Sequence, residues 1–155
     1  GIRYEWYALQ RWGAKYWDDF SKQKIVWGNL CLSPQFAYTE SEIFINAPAT
    51  MIVPGNKYIL AVLNSPLADW YMRKLGVTRN GGYFEYKPMF IEKLPVPIIK
   101  DEDQADFAIL VDKISKLLIN NQDITLIERY LNNMIFNLYH LTDSEITYII
   151  NEIKT

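Results

Sequence analysis

The chain has 155 residues, half of them apolar, and a net charge of −2, which fits one folded domain and excludes a disordered polypeptide. No apolar run approaches the roughly 18 residues of a membrane-spanning helix, and a single cysteine, Cys31, excludes an internal disulfide and a cysteine-based zinc site. We therefore expect a cytoplasmic protein without a membrane partner and, because the chain opens at Gly1 rather than Met, part of a longer polypeptide.

Short strands are predicted in the first third of the chain, after an aromatic and basic segment at residues 11–24. The four predicted strands are rich in β-branched and aromatic residues and lie between turn residues; they are 24–27, 35–38, 42–45 and 50–53. The apolar run 58–63 that follows fits either a buried strand or the start of a helix. Strands this short imply one small antiparallel or mixed sheet.

A helix and a cationic glycine turn are predicted next. Ser65 supplies a capping side chain and Pro66 suits the first helical turn, so the pattern predicts a helix Pro66–Leu75. Gly81 and Gly82 can adopt positive φ angles, and a strand-like aromatic run is predicted over 83–91.

Helices are predicted after the prolines at 95 and 97, which end strand pairing. Apolar residues recur at three- and four-residue spacing over 107–118 and 124–138, which predicts two helices. The link at residues 120–122 is short enough to make these helices neighbours. A third helix is predicted to start at Thr142, with Glu145 completing a capping box.

The predicted fold is α+β: a small mixed or antiparallel sheet with a flanking helix in residues 1–97, followed by a C-terminal helical layer in residues 98–155 that packs on it. Residues 1–100 hold 12 Lys and Arg against 8 Asp and Glu, a net charge of +4; residues 101–155 hold 4 against 10, a net charge of −6. A nucleic-acid face is therefore expected in the first region.

The glycine turn and the end of the helix before it are the first candidate for contact with DNA. Arginine, asparagine and lysine beside bare backbone are the groups that contact phosphates and base edges. Arg79 ranks first because a bidentate arginine to guanine is the commonest specific base contact. The candidates are Arg79, Asn80, Gly81, Gly82, Tyr83, Lys87, Arg73 and Lys74. A solvated hairpin without a ligand is the alternative.

The aromatic and basic segment is the second candidate. Its lysines can neutralise phosphates while an aromatic ring packs on a sugar or wedges at a base step. The candidates are Arg11, Trp12, Lys15, Lys22 and Lys24. The alternative is that at least one aromatic residue here belongs to the core or contacts another domain.

No catalytic or metal site is predicted in this chain. Asp69, Glu85 and Lys87 give an acid followed by Glu-x-Lys, which a magnesium-dependent nuclease would need, but Asp69 falls inside the predicted helix rather than on a strand edge. His140 belongs to no ligand pattern and is expected to pack at a helix end.

In this order, the segments ALQRWGAKYW, KIVWGNL, LNSPLADWYMRKL, NGGY, KLPVP and NLYHLTDSEITYI resemble the TaqI-like C-terminal specificity domain of bacterial adenine-specific DNA methyltransferases and fused type II restriction–modification enzymes. The chain is similar, more distantly, to the specificity subunits of Type I restriction systems. The resemblance implies target recognition: such a domain positions duplex DNA, while a separate N-terminal domain of the same polypeptide binds S-adenosylmethionine and methylates a flipped adenine.

The motifs of the methyltransferase reaction are absent from this chain, which agrees with the division of roles that the resemblance implies. The Asn/Asp-Pro-Pro-Tyr motif of amino-methyltransferases is absent, and no glycine-rich cofactor loop follows a strand. S-adenosylmethionine, and Mg²⁺ if a nuclease is fused, would therefore bind elsewhere in the parent enzyme. The rival interpretation is a protein-interaction module that docks onto another subunit without touching DNA.

Overall fold

The computed structural model describes residue 5, residues 14–40 and residues 42–154. The strands are β1 (Lys24–Gly28), β2 (Leu30–Cys31), β3 (Ala37–Thr39), β4 (Ala49–Ile52), β5 (Thr78–Arg79) and β6 (Tyr83–Glu85). The helices are a 3₁₀ helix at Ala14–Ser21, then α1 (Lys57–Leu63), α2 (Pro66–Leu75), α3 (Pro88–Ile91), α4 (Asp101–Ile119), α5 (Thr125–Leu138) and α6 (Asp143–Lys154). This mixture confirms the predicted α+β class. None of the described helices has the length and apolar character needed to cross a membrane.

The strands form two small antiparallel sheets where the sequence predicted one. In the first sheet, β1 lies between β3 and β4, and Ile25 pairs with Tyr38 on one side and Ile52 on the other. In the second, β6 lies between β2 and β5. Only Asn29 separates β1 from β2, so the chain passes from one sheet directly into the other at this residue.

Two predicted strands are wrong in whole or in part. Residues 42–45 form no strand; the Phe44 ring instead packs on Phe20 of the 3₁₀ helix, with 5.0 Å between ring centroids. The run 83–91 is strand only as far as Glu85, because Pro88 has no N–H to donate and begins the short helix α3. In this part of the chain, aromatic residues therefore indicate either a strand or a packing contact with a neighbouring element.

Capping side chains account for the starts of α1, α2 and α6. Ser65 Oγ accepts a hydrogen bond from the Ala68 N–H at 3.2 Å, and α2 has the predicted bounds. The apolar run after Asn56 is a helix rather than a strand, since the Asn56 side chain accepts from the Ile59 N–H at 3.0 Å. Thr142 and Glu145 form the predicted capping box: the Thr142 N–H donates to the Glu145 carboxylate at 2.8 Å.

One core extends from the first sheet into the C-terminal helices. Tyr58 of α1 packs edge-on against Phe107 of α4, with ring centroids 5.1 Å apart, and donates its hydroxyl to the Pro97 carbonyl at 2.8 Å. The cluster contains Ile25, Trp27, Phe36, Tyr58, Val62, Leu67, Met72, Tyr86, Phe107, Val111, Leu131, Ile135, Phe136 and Ile149, among others. Helix α1 packs on α4, and α2 packs on α6. A division of the domain at residue 97 stays a prediction.

Candidate nucleic-acid interface

The β5–β6 hairpin borders an open cleft of about 520 Å³. Gly81 and Gly82 adopt φ angles of 82° and 78°, which L side chains rarely tolerate, so the glycine pair permits this tight reversal. A Cβ at Gly82 would meet no atom within 4 Å, which means that the turn projects into open space. The cleft is lined by Asn29, Leu30, Thr78, Arg79, Asn80, Glu85 and Lys87, and we call this surface the glycine-turn face.

Two cations of the glycine-turn face share one carboxylate. Arg79 Nε lies 2.6 Å from Glu85 Oε1, and Arg79 Nη2 contacts the same oxygen. Lys87 Nζ lies 2.9 Å from Glu85 Oε2. Hydrogen bonds from Lys87 and Arg79 hold the pKa of Glu85 below its ordinary value. The cluster therefore has a net charge of +1.

Burial separates the anion from the cations in this cluster. The Glu85 side chain is 7% exposed, whereas those of Arg79 and Lys87 are 54% and 44% exposed. Solvent, or a ligand in the cleft, therefore meets mainly the cations, and the carboxylate only at its small exposed part. The sequence indicates Arg79 and Lys87 but not the contact of Arg79 with Glu85, because the Glu-x-Lys spacing on its own is equally typical of a nuclease.

Arg73 and Lys74 have partners within the chain. Arg73 Nε lies 2.9 Å from Asp69 Oδ1, and its guanidinium carbon lies 4.6 Å from the centre of the Phe84 ring. Lys74 Nζ lies 2.6 Å from Glu152 of α6. These contacts attach α2 to β6 and to α6, which is a structural role. A DNA contact by either residue stays a prediction.

The second candidate segment is described only in part. Arg11 and Trp12 lie outside the described residues, and Lys15 is described only as a member of the 3₁₀ helix. Lys22 is exposed and pairs with Asp19 at 2.8 Å. Lys24 is fully buried and donates to the Phe20 carbonyl at 2.7 Å, so its ammonium group is used inside the protein and does not support the predicted phosphate contact.

The acidic residues near the hairpin are not arranged to hold magnesium. Asp69 accepts hydrogen bonds from Arg73 and from the buried Tyr86 hydroxyl, the latter at 3.0 Å, and burial raises the pKa of Tyr86. Glu85 is occupied by two cations. Across the described residues, no three His, Cys, Asp or Glu side chains form a group that could hold a metal ion. His140 lies at the end of α5, as predicted, but its side chain is exposed and its φ is 54°.

Comparison with known proteins identifies the architecture. The family model of the TaqI-like C-terminal specificity domain matches residues 3–96, a range that includes all six described strands and the whole glycine-turn face. The chain therefore belongs to the TaqI-like C-terminal specificity domain family. No curated protein matches it. A specificity domain is not itself catalytic, and membership in this family indicates DNA target recognition in a restriction–modification protein.

Proposed function

We propose that this chain recognises a specific DNA site and positions the duplex for adenine methylation by another domain of the same polypeptide. The parent protein is then a bacterial, cytoplasmic adenine methyltransferase or a fused type II restriction–modification enzyme that also cleaves DNA. Family membership supports the recognition role. The observation that carries the proposal is the glycine-turn face, where two exposed cations share one buried carboxylate.

The charge of the glycine-turn face suits a polyanion. Each phosphate that a lysine or arginine neutralises releases condensed counterions, which favours binding and makes it depend on salt. Arg79 and Lys87 retain N–H donors that Glu85 does not use. The backbone at Gly82 lies open, with no side chain to keep a phosphate at a distance. Asn80, exposed beside the two glycines, adds an amide donor and acceptor.

Methyl transfer is assigned to a different domain. Gly81 and Gly82 join two strands, whereas a nucleotide-type cofactor loop leads from a strand into a helix N-terminus. The glycine-turn face therefore does not fit S-adenosylmethionine, and we propose no cofactor contact in the described residues. In the same proposal, Mg²⁺ belongs to a fused nuclease and not to Glu85.

A protein-interaction module is the second candidate function. An apolar groove of about 440 Å³ lies between β3, α1, α4 and α5, and Leu118 and Ile119 at its edge are 54% and 80% exposed. Such a groove suits another protein surface, and the acidic helical region around it suits DNA poorly. This candidate leaves the exposed cations of the glycine-turn face without a role. The two functions differ in whether duplex DNA binds.

We expect this chain to bind a randomised duplex with an affinity that falls as salt rises. The double variant Arg79→Ala/Lys87→Ala should bind more weakly and with a shallower salt dependence, because it lacks two cations that face the duplex. Fluorescence anisotropy of a labelled duplex at several salt concentrations measures both quantities. If Arg79 reads a guanine, Arg79→Ala alone costs about 1–3 kcal/mol at that base position.

The matched control is Lys93→Ala/Lys100→Ala, which removes the same charge from two exposed positions outside the face. Equal weakening by the two double variants would contradict the assignment of the face. Absence of binding at low salt would contradict DNA contact by this chain and favour the interaction module.

A further inference from the structure

The glycine-turn face offers a ligand hydrogen-bond donors, since the carboxylate within it is already occupied. Each Glu85 oxygen accepts from one cation: Oε1 from Arg79 and Oε2 from Lys87. Glu85 contacts the edge of the Arg79 guanidinium formed by Nε and Nη2. The end of the guanidinium, with Nη1–H and the second Nη2–H side by side, is left for a ligand. Lys87 likewise retains two N–H groups after its bond to Glu85.

Asn29 adds a third donor to the same cleft. Its side-chain oxygen accepts from the Thr50 hydroxyl at 2.6 Å, and its main-chain oxygen accepts from the Tyr86 N–H at 2.9 Å. With both oxygens engaged, the side-chain NH₂ is the group that Asn29 can offer at the cleft. Arg79, Lys87 and Asn29 come from three different segments, so this set of donors exists only in the folded hairpin and sheet.

On the basis of the proposed function, we propose that this face reads a guanine in the DNA major groove. Arg79 contacts the guanine, and Glu85 positions the Arg79 side chain. Guanine presents two adjacent acceptors there, O6 and N7, which match the two parallel N–H groups at the end of the guanidinium. Adenine and cytosine each present an N–H donor in the major groove, which would face another donor. The face therefore favours guanine by attraction and disfavours adenine and cytosine by repulsion.

Glu85 contributes by fixing the guanidinium before DNA arrives. A half-exposed arginine without a partner would lose side-chain freedom on binding, and a planar guanidinium held along one side loses less. Removal of the carboxylate should therefore have opposite effects on two kinds of binding. Guanine discrimination should fall, because Arg79 is no longer oriented, while general attraction to phosphates should be kept or increased, because the face gains positive charge.

The test begins with selection of the tightest-binding sequences from a randomised duplex by the wild-type chain. Each guanine of the selected duplex is then replaced in turn by 7-deazaguanine, which lacks the N7 acceptor, or by inosine, which keeps O6 and N7. We expect at least one guanine at which 7-deazaguanine weakens wild-type binding fivefold or more while inosine does not. At that position Arg79→Ala should bind both duplexes equally.

Glu85→Gln tests the positioning role in the same assay. It should lose most of the discrimination against 7-deazaguanine and bind a duplex of A·T pairs at least as tightly as the wild type does. The matched control is Asp112→Asn, which removes a carboxylate from the distant Lys57 ion pair and changes the net charge equally; it should keep the discrimination. If Glu85→Gln does not fold, Glu85→Asp replaces it: the shorter carboxylate keeps the charge but cannot reach Arg79 in the same way, so discrimination should fall, and unchanged discrimination would overturn the positioning role.

The outcomes separate this inference from the proposed function. Wild-type binding that no 7-deazaguanine substitution weakens would overturn the guanine assignment and leave DNA recognition standing. Discrimination that survives in Glu85→Gln would overturn the positioning role. Failure to select any duplex, even at low salt, would overturn DNA recognition and the guanine assignment together.

Discussion

At the residue scale, the arrangement of Arg79 and Lys87 depends on an ionised Glu85. Hydrogen bonds from Lys87 and Arg79 lower its pKa from the ordinary value of 4.5, so the carboxylate is charged at neutral pH. A group whose pKa is lower in the folded chain than in the unfolded chain stabilises the fold at every pH above its pKa in the unfolded chain. That contribution is lost as the pH falls through the folded value. The ion pairs at this hairpin therefore weaken in acid, not in base.

This dependence predicts the acid behaviour of the Glu85→Gln variant. At pH 7 we expect its melting temperature to be lower than that of the wild type, because Gln cannot hold both cations by charge. The difference should shrink as the pH falls from about 4.5, the ordinary value, through the lower pKa of folded Glu85, where the folded chain takes up the proton. Thermal unfolding followed by circular dichroism between pH 7 and pH 3 measures the difference. A gap that widens in acid would contradict the account.

At the level of single elements, α1, α2 and α6 begin at capping side chains that act within a few residues. Thr142 and Glu145 bond each other's backbone at the start of α6: the Glu145 N–H donates to Thr142 Oγ1 at 3.4 Å, and the Thr142 N–H donates back to the carboxylate. Hydrogen bonds from Thr142 hold the pKa of Glu145 below its ordinary value. Helix α6 packs on α2 and contributes Ile149 to the core, so its cap supports more than its own first turn.

We expect Thr142→Ala to destabilise the chain by about 1 kcal/mol, the typical cost of losing an N-cap hydroxyl. Thr147→Ala is the control, because the Thr147 hydroxyl donates to the Asp143 carbonyl within the helix and caps no free N–H. Urea unfolding followed by tryptophan fluorescence compares the two variants. Equal losses of stability in both would mean that the capping box does not hold the start of α6.

The short range of these capping contacts explains which elements could be predicted from the sequence. The bounds of α2 and the start of α6 follow from residues within one helical turn of the cap. Strand pairing joins residues far apart in the chain, so the split into two sheets at Asn29 has no local signal. Residues 42–45 are rich in β-branched and aromatic residues, as strands are, but Phe44 packs on the 3₁₀ helix instead. For the site, the sequence indicated Arg79 and Lys87; the bond from Arg79 to Glu85 and the burial of Lys24 required the fold.

At the scale of the whole molecule, the cationic glycine-turn face and the acidic helices belong to one packed structure. Core residues of α4, α5 and α6 join those of the first sheet in a single cluster. Lys57 of α1 also pairs with Asp112 of α4, at 2.7 Å. In the proposed function, the glycine-turn face is the part that would contact DNA, while the helical layer supports the sheet region and carries an apolar groove suited to protein.

The claim that the glycine-turn face contacts DNA is tested by following amide chemical shifts of the ¹⁵N-labelled chain as unlabelled duplex is added at low salt. We predict the largest changes at residues 78–87 and at Asn29, with smaller changes in α5 and α6. Salt should reverse these changes, because phosphate contacts release counterions. Changes confined to α4, α5 and α6, or no changes at low salt, would contradict the claim.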